Sequence, residues 1–357
     1  MKRQALLCTA LLLALALGPL TACAPRTKTP LKVQYAGSLI IPFDTLEKAY
    51  EAKMPGVDVQ AEGHGSIQVI RHVTEIHQEI DVAITADHAL IPMLMYPSTV
   101  PETGEPYADW YCKFATNELV LAYRPESQYA GEITAENWPD ILLRPGVRLG
   151  LPDPRFDAAG YRTLMLLHMA QEEFNRPALF GQLMTNSFTY AIRARAEDGT
   201  TVIRVPEIVE TKKDSPILVR AYSIQIIALL QSGEVDYTFA YDSVARQHGL
   251  KIIWLPDNLN LGSEALNEEY ARVQVRLDFQ RFASVTPVFN GEAIAYGLTI
   301  PSNAPHRAEA EAFSAWLLGP EGRKILEDNY NPVINPPQSD NMDALPARLK
   351  PLCVPIP

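Results

Sequence analysis

The sequence predicts an α/β protein of two lobes, and three observations carry the prediction. From Leu31 to Asp87 a unit of strand, small-residue turn and helix recurs three times, the pattern of a parallel sheet covered by helices on both faces. Removal of an N-terminal leader leaves 335 of the 357 residues, more than a single hydrophobic core accommodates. A second block then opens at the apolar strand Glu118–Tyr123, and the segment Val285–Ile300 reads as one strand returning to the first.

Lys2 and Arg3 precede an apolar run from Ala5 to Leu17, followed by Leu20-Thr21-Ala22-Cys23. This is the form of a signal peptide over residues 1–22. Its roughly thirteen apolar residues are too few to span a hydrocarbon core of about 30 Å. Leu-x-Ala-Cys also resembles the bacterial lipoprotein box, in which Cys23 becomes the lipidated first residue. Ordinary cleavage after Ala22 is the alternative, and either route exports the chain. A lipid on Cys23 would hold an otherwise soluble monomer at the outer face of the membrane, in the periplasm or at the cell surface. Loss of Lys2 and Arg3 takes the net charge from −11 to −13, which argues against a nucleic-acid partner.

Residues 23–30 have the composition of a tether. Lobe 1 is expected over 31–117, lobe 2 over 118–284, and a return to lobe 1 with a C-terminal tail over 285–357. In the first part, Leu31–Ala36, Val57–Ala61 and Asp81–Ile84 read as strands. The helix after Ser38 places Phe43, Leu46, Tyr50 and Met54 on one face, the helix 67–77 turns Ile67, Ile70 and Val73 inward, and Thr85-Ala86-Asp87 opens a third, short helix. Lobe 2 is expected to contain the Trp138–Leu143 segment, a strand Val147–Leu151 and a helix from Gly160 to about Glu173. A polar hairpin near 188–206, a helix Ser223–Gln231 and a strand Val235–Tyr241 follow. Helices over 305–318 and 320–328 complete lobe 1. The tail, with seven prolines after Asn331, is expected to lie extended across the surface.

With Cys8 in the leader and Cys23 in the lipid box, only Cys112 and Cys353 remain, and their spacing fits no metal motif. An oxidising compartment would permit a bridge between them, which sequence separation alone does not decide. His72 and His77, five residues apart on a helix, face different ways and read as surface residues. Glu172 and Glu173 read as a solvated helix face. The absence of HExxH, GxSxG, Walker and GxGxxG motifs weakens any enzyme reading, and no cofactor is expected.

Four junctions share one form, in which a strand ends, a small residue turns the chain and a helix begins: Gly37-Ser38, Gly65-Ser66, Thr85-Ala86 and Asp157–Gly160. In an open α/β sheet such junctions lie at the carboxyl ends of the strands, where ligand crevices form. Helix starts offer unpaired N–H groups and a partial positive charge, which suits an anion without Lys or Arg. Each serine, and Asp157, is equally at home as a plain helix cap, and Tyr241 as a core aromatic.

The residues Tyr35-Ala36-Gly37-Ser38-Leu39, Gly65-Ser66, Ala86-Asp87, Asn117–Tyr123, Asp157-Ala158-Ala159-Gly160-Tyr161-Arg162, Gly233–Tyr237 and Tyr241 stand in an order that resembles the archaeal-type tungstate/molybdate-binding proteins of ABC transporters. The resemblance implies a type II periplasmic-binding-protein-like fold that closes two lobes on its ligand and delivers it to a membrane permease. It implies an oxyanion held by Gly37, Ser38, Ser66, Asp157, the amides of Ala158 and Ala159, and Tyr241, with Asp157 as a ligand to the metal centre. The family carries a glutamate where this chain has Ser223, which puts six-coordinate binding by two carboxylates in doubt. Sulfate, phosphate or ferric iron are alternative ligands. An exported hydrolase or a sensor module is a third reading, disfavoured by the missing nucleophile and base.

Overall fold

The computed structural model describes residues 28–278 and 287–357. The leader, Cys23 and the tether up to residue 27 lie outside the described residues, as does the expected lobe boundary at 284–285. Among the described residues no helix is long and apolar enough to cross a membrane.

The chain begins as expected. β1 (Thr29–Ala36) runs parallel to β2 (Val57–His64) and β3 (Val82–Thr85). Helices α1 (Ile40–Lys53), α2 (Ser66–Thr74) and α3 (Leu90–Leu94) follow these strands. Phe43, Leu46 and Tyr50 of α1 and Ile67, Ile70 and Val73 of α2 are buried, whereas Met54 just beyond α1 is exposed. Three expectations shift. The third helix starts at Leu90 rather than at Thr85–Asp87, α2 ends at Thr74, and His77 lies past it in left-handed backbone (φ 56°). β4 (Cys112–Thr116) closes this part of the chain.

The second lobe holds two sheets. β5 (Leu119–Tyr123), α4 (Trp138–Leu142), β6 (Leu149–Pro152), α5 (Ala158–Glu173), the hairpin β7 (Arg193–Glu197) and β8 (Thr200–Val205), and β9 (Ile217–Arg220) come first. α6 (Ser223–Ser232) ends at Gly233, whose φ of 81° is a backbone that only glycine adopts without strain. Then come β10 (Tyr237–Tyr241), α7 (Asp242–Gln247), β11 (Lys251–Trp254), two single-turn helices α8 (Asp257–Asn260) and α9 (Asn267–Tyr270), β12 (Val273–Leu277) and β13 (Val288–Asn290). One sheet is ordered β11-β5-β10-β6-β9 and the other β13-β12-β8-β7.

The return is where the expectation fails. The segment 285–300 is not one strand. Val288–Asn290 pairs with β12 in the second lobe, and only β14 (Ala295–Thr299) enters the first sheet. The chain breaks at Gly291, where a Cβ would lie 2.0 Å from the carbonyl oxygen of Tyr270. After α10 (Arg307–Leu317) and α11 (Pro320–Asp328), the proline-rich tail is also not loose cover. β15 (Val333–Ser339) and β16 (Val354–Pro355) join the first sheet, giving the order β16-β15-β4-β14-β3-β1-β2. The ladder with β4 jumps from Val333 to Gln338, so Asn335, Pro336 and Pro337 bulge out where prolines need donate nothing. β14 runs antiparallel to both β3 and β4, so the sheet is mixed rather than purely parallel.

Candidate functional site

Both lobes turn strand ends toward each other. In the first, β1 runs into a 3-10 turn at Gly37–Leu39, and the buried Ser38 hydroxyl lies 2.8 Å from the phenol oxygen of Tyr296 on β14. Ser66 opens α2 and accepts the backbone N–H of Ala86, just past β3, at 2.9 Å. In the second lobe, Asp157 caps α5 and accepts the N–H of Ala159 at 2.9 Å through one oxygen. Its other oxygen accepts the N–H of Ser223, the first residue of α6, at 2.8 Å. One carboxylate thereby ties two helix starts together. Burial raises the Asp157 pKa, against the lowering effect of the Ser223 and Ala159 amides and the Ser223 hydroxyl. Tyr241 ends β10, fully enclosed, and burial keeps its phenol protonated well above the usual range.

Arg162 crosses between the lobes. It sits in the first turns of α5, amid Ala158, Ala159, Leu164 and Met165, and is buried. Its Nη1 donates to the Ala86 carbonyl and to the Tyr241 hydroxyl, each at 2.7 Å. Its Nη2 lies 3.5 Å from Asp87, and Asp87 also accepts the Tyr161 hydroxyl. A buried guanidinium needs such pairing to offset its desolvation. At Gly65 the lobes touch: a Cβ there would lie 2.4 Å from the Phe156 carbonyl oxygen and 2.9 Å from the Tyr222 ring.

The structure thus brings together Gly37, Ser38, Ser66, Asp157, Ala158, Ala159, Ser223 and Tyr241. Tyr241 and Tyr296 stand with ring centroids 6.3 Å apart, and the Asp157 charge acts on both. Ser38, Ser66, Asp157, Tyr241 and the two alanines are buried, and Ser223 is half-buried. Asp157 is a helix cap, the alternative the sequence left open for it. Three residues escaped the sequence reading as participants: Arg162, Tyr296 and Asn117. A lone arginine in an otherwise apolar helix face, and a lone tyrosine in the apolar run AIAYGLTI, were the available signals.

Asp87, His88 and Glu292 each bring a ligand atom within 4.8 Å of the others. Arg162, Tyr161 and the Ala89 N–H already occupy Asp87, so this trio carries its own counter-charge and needs no cation. His72 is half-buried between Gln34 and Gln68, and His77 meets the Tyr107 hydroxyl at 2.5 Å. They form no shared site.

A family model described as bacterial extracellular solute-binding protein matches residues 31–330. The chain belongs to this family. Within it, the molybdate/tungstate-binding protein WtpA of Thermococcus kodakarensis is 37% identical over 317 residues, covering 87% of this chain and 84% of that one. An uncharacterised solute-binding protein of Methanococcus maripaludis is 37% identical over 306 residues, covering 86% and 83%. Among solved structures, the periplasmic molybdate-binding protein of Azotobacter vinelandii superposes with a TM-score of 0.53 at 15% identity, covering 84% of this chain and 98% of that chain. The sulfate-binding protein SubI of Mycobacterium tuberculosis gives 0.51 at 15% identity, covering 87% and 88%. These two likenesses establish the two-lobed periplasmic-binding fold.

Proposed function

We propose that this solute-binding protein captures a tetrahedral oxyanion, tungstate or molybdate, by closing its lobes, and presents it to the permease of an ABC transporter. The observation that carries the reading is the meeting of helix starts and hydroxyls from both lobes: Ser38 and Ser66 on one side, Tyr241 and the α5 and α6 starts on the other. First-turn N–H groups have no carbonyl acceptor in their own helix, and they favour negative charge. Arg162, buried at the locus, has its charge balanced by Asp87 at 3.5 Å, while its Nη2 makes no hydrogen bond among the described residues. A dianion would therefore be held by dipoles.

WtpA, at 37% identity, supports the choice of tungstate or molybdate. Asp157 would contribute a ligand to the metal centre. With Ser223 in place of a second carboxylate, the carboxylate pair that six-coordinate binding needs is incomplete at this place. The anion sheds water in the open cleft, both lobes replace its hydration shell, and the closed form gains by its greater affinity. No covalent bond of the protein or the anion is broken, and no cofactor is required. Export, with Cys23 as lipid anchor, would keep the receptor at the outer face of the membrane.

Thermal denaturation with tungstate, molybdate, sulfate and phosphate at equal concentration tests the reading. A ligand at about 100 times its Kd adds about 2.7 kcal/mol, so the first two should raise the midpoint by several degrees. Absence of any shift with both rejects it. A sulfate receptor would use the same donors in a smaller cage, and sulfate shifting most would favour it.

A further inference from the structure

We propose that Cys112 and Cys353 are joined by a disulfide in the exported protein, and that this bridge fastens the C-terminal strand to the first sheet. The inference rests on the export that the leader implies, and not on which solute is bound. Cys112 opens β4, and Cys353 stands immediately before β16, 241 residues later. The fold brings their Sγ atoms to 3.5 Å, both buried. A disulfide needs its sulfurs about 2 Å apart, so closure asks for a shift of about 1.5 Å between atoms already in contact. Among the described residues no third His, Cys, Asp or Glu ligand atom joins them, the one such group being Asp87, His88 and Glu292, so the pair lacks the ligands of a structural metal site. Reactive thiols sit partly exposed in electropositive surroundings, whereas Cys112 is fully enclosed and feels the Asp340 carboxylate.

The tail has little else to hold its end. β16 is two residues long and pairs with β15 only through Val354 opposite Gln338 and Pro355 opposite Ser339. Ile356 adds one N–H to the Ser339 carbonyl at 2.9 Å. So short a strand at the edge of a seven-stranded sheet frays unless it is tied down. A cross-link removes more freedom from the unfolded chain the longer the loop it closes, and this loop encloses the whole second lobe.

The bridge forms by exchange with a disulfide-bearing oxidant of the outer compartment. Cys353 is 7% exposed against 0% for Cys112, and contact with Cys112 lowers its pKa. Its thiolate therefore attacks one sulfur of the oxidant, whose S–S bond breaks and whose other sulfur leaves as a thiolate. Cys112 then gives up its proton and attacks the Cys353 Sγ. The mixed disulfide breaks, and the second sulfur of the oxidant leaves. The two cysteines lose two electrons and two protons, and the oxidant, taking up both, becomes a dithiol.

The full chain with its leader is produced in bacteria, collected from outside the cytoplasm and denatured in N-ethylmaleimide. It is then reduced and treated with iodoacetamide. Peptides carrying residues 112 and 353 should take only the second label. The first label on either residue overturns the bridge. Complete reduction should lower the melting midpoint by several degrees, and a double variant, Cys112→Ala with Cys353→Ala, should melt alike with and without reductant. A midpoint that reduction does not move overturns the fastening role. If the double variant fails to fold, the labels and the midpoint of the unmodified sequence decide. A chain kept in the cytoplasm with residues 1–22 uncut overturns the export reading alone. The folded chain is then given glutathione disulfide, and the same labels decide the bridge.

Discussion

Gly65 and Phe156 approach so closely that a methyl group on the glycine would lie 2.4 Å from the phenylalanine carbonyl oxygen. The partner atom is backbone and cannot swing aside, so Gly65→Ala should hold the lobes apart while leaving each one folded. Ligand affinity should drop at least about tenfold, the scale of 1.4 kcal/mol. The ligand-free melting midpoint should barely move. Calorimetry and a ligand-free melt read the two effects separately, and unchanged affinity would show that closure does not pass through this contact.

Asp157→Asn keeps one carbonyl oxygen for the Ala159 amide and turns an NH2 toward the Ser223 N–H, or the reverse. One buried donor loses its acceptor, a cost of about 1–3 kcal/mol. The urea midpoint of the ligand-free protein measures it.

Burial, and then the Asp87 charge, push the Glu292 carboxyl up from 4.5 to about 7. Between those values the folded state holds a proton that the unfolded chain has released. This group therefore weakens the fold fully above pH 7, and its penalty fades as pH falls toward 4.5. Glu292→Gln should stabilise the protein at pH 8 by about 2 kcal/mol, allowing for residual exposure, and leave it unaffected at pH 4.5. Denaturation midpoints of both proteins across that window give the difference.

Ser223→Glu places a carboxylate beside Asp157 at the start of α6. If the metal centre of the anion sits there, tungstate affinity should change by about tenfold or more, with expansion of the coordination sphere visible by X-ray absorption. Indifference in both readouts would move the ligand elsewhere.

The strand, turn and helix rhythm of residues 31–87 was legible because each turn is marked by Gly or Ser and each helix by apolar spacing. The site positions were legible because they sit at those turns. Three features resisted. Val288–Asn290 and Ala295–Thr299 are both apolar, so nothing local shows that they belong to different sheets. Prolines 336 and 337 argued against a strand, yet the bulge around them lets Val333 and Gln338 keep their pairing with β4. Arg162, Asn117 and Tyr296 act through contacts 75 to 258 residues away in sequence, a distance over which periodicity carries no information.

Both neighbours of β4 in the first sheet, β14 and β15, come from residue 295 onward. The central strands of that sheet cannot be completed until nearly the whole polypeptide has been made. The N-terminal half must wait as an unfinished edge, exposed to mispairing. Such a chain is well suited to crossing a membrane before it folds, and losing even its last two dozen residues should cost it the first lobe rather than a dispensable appendage.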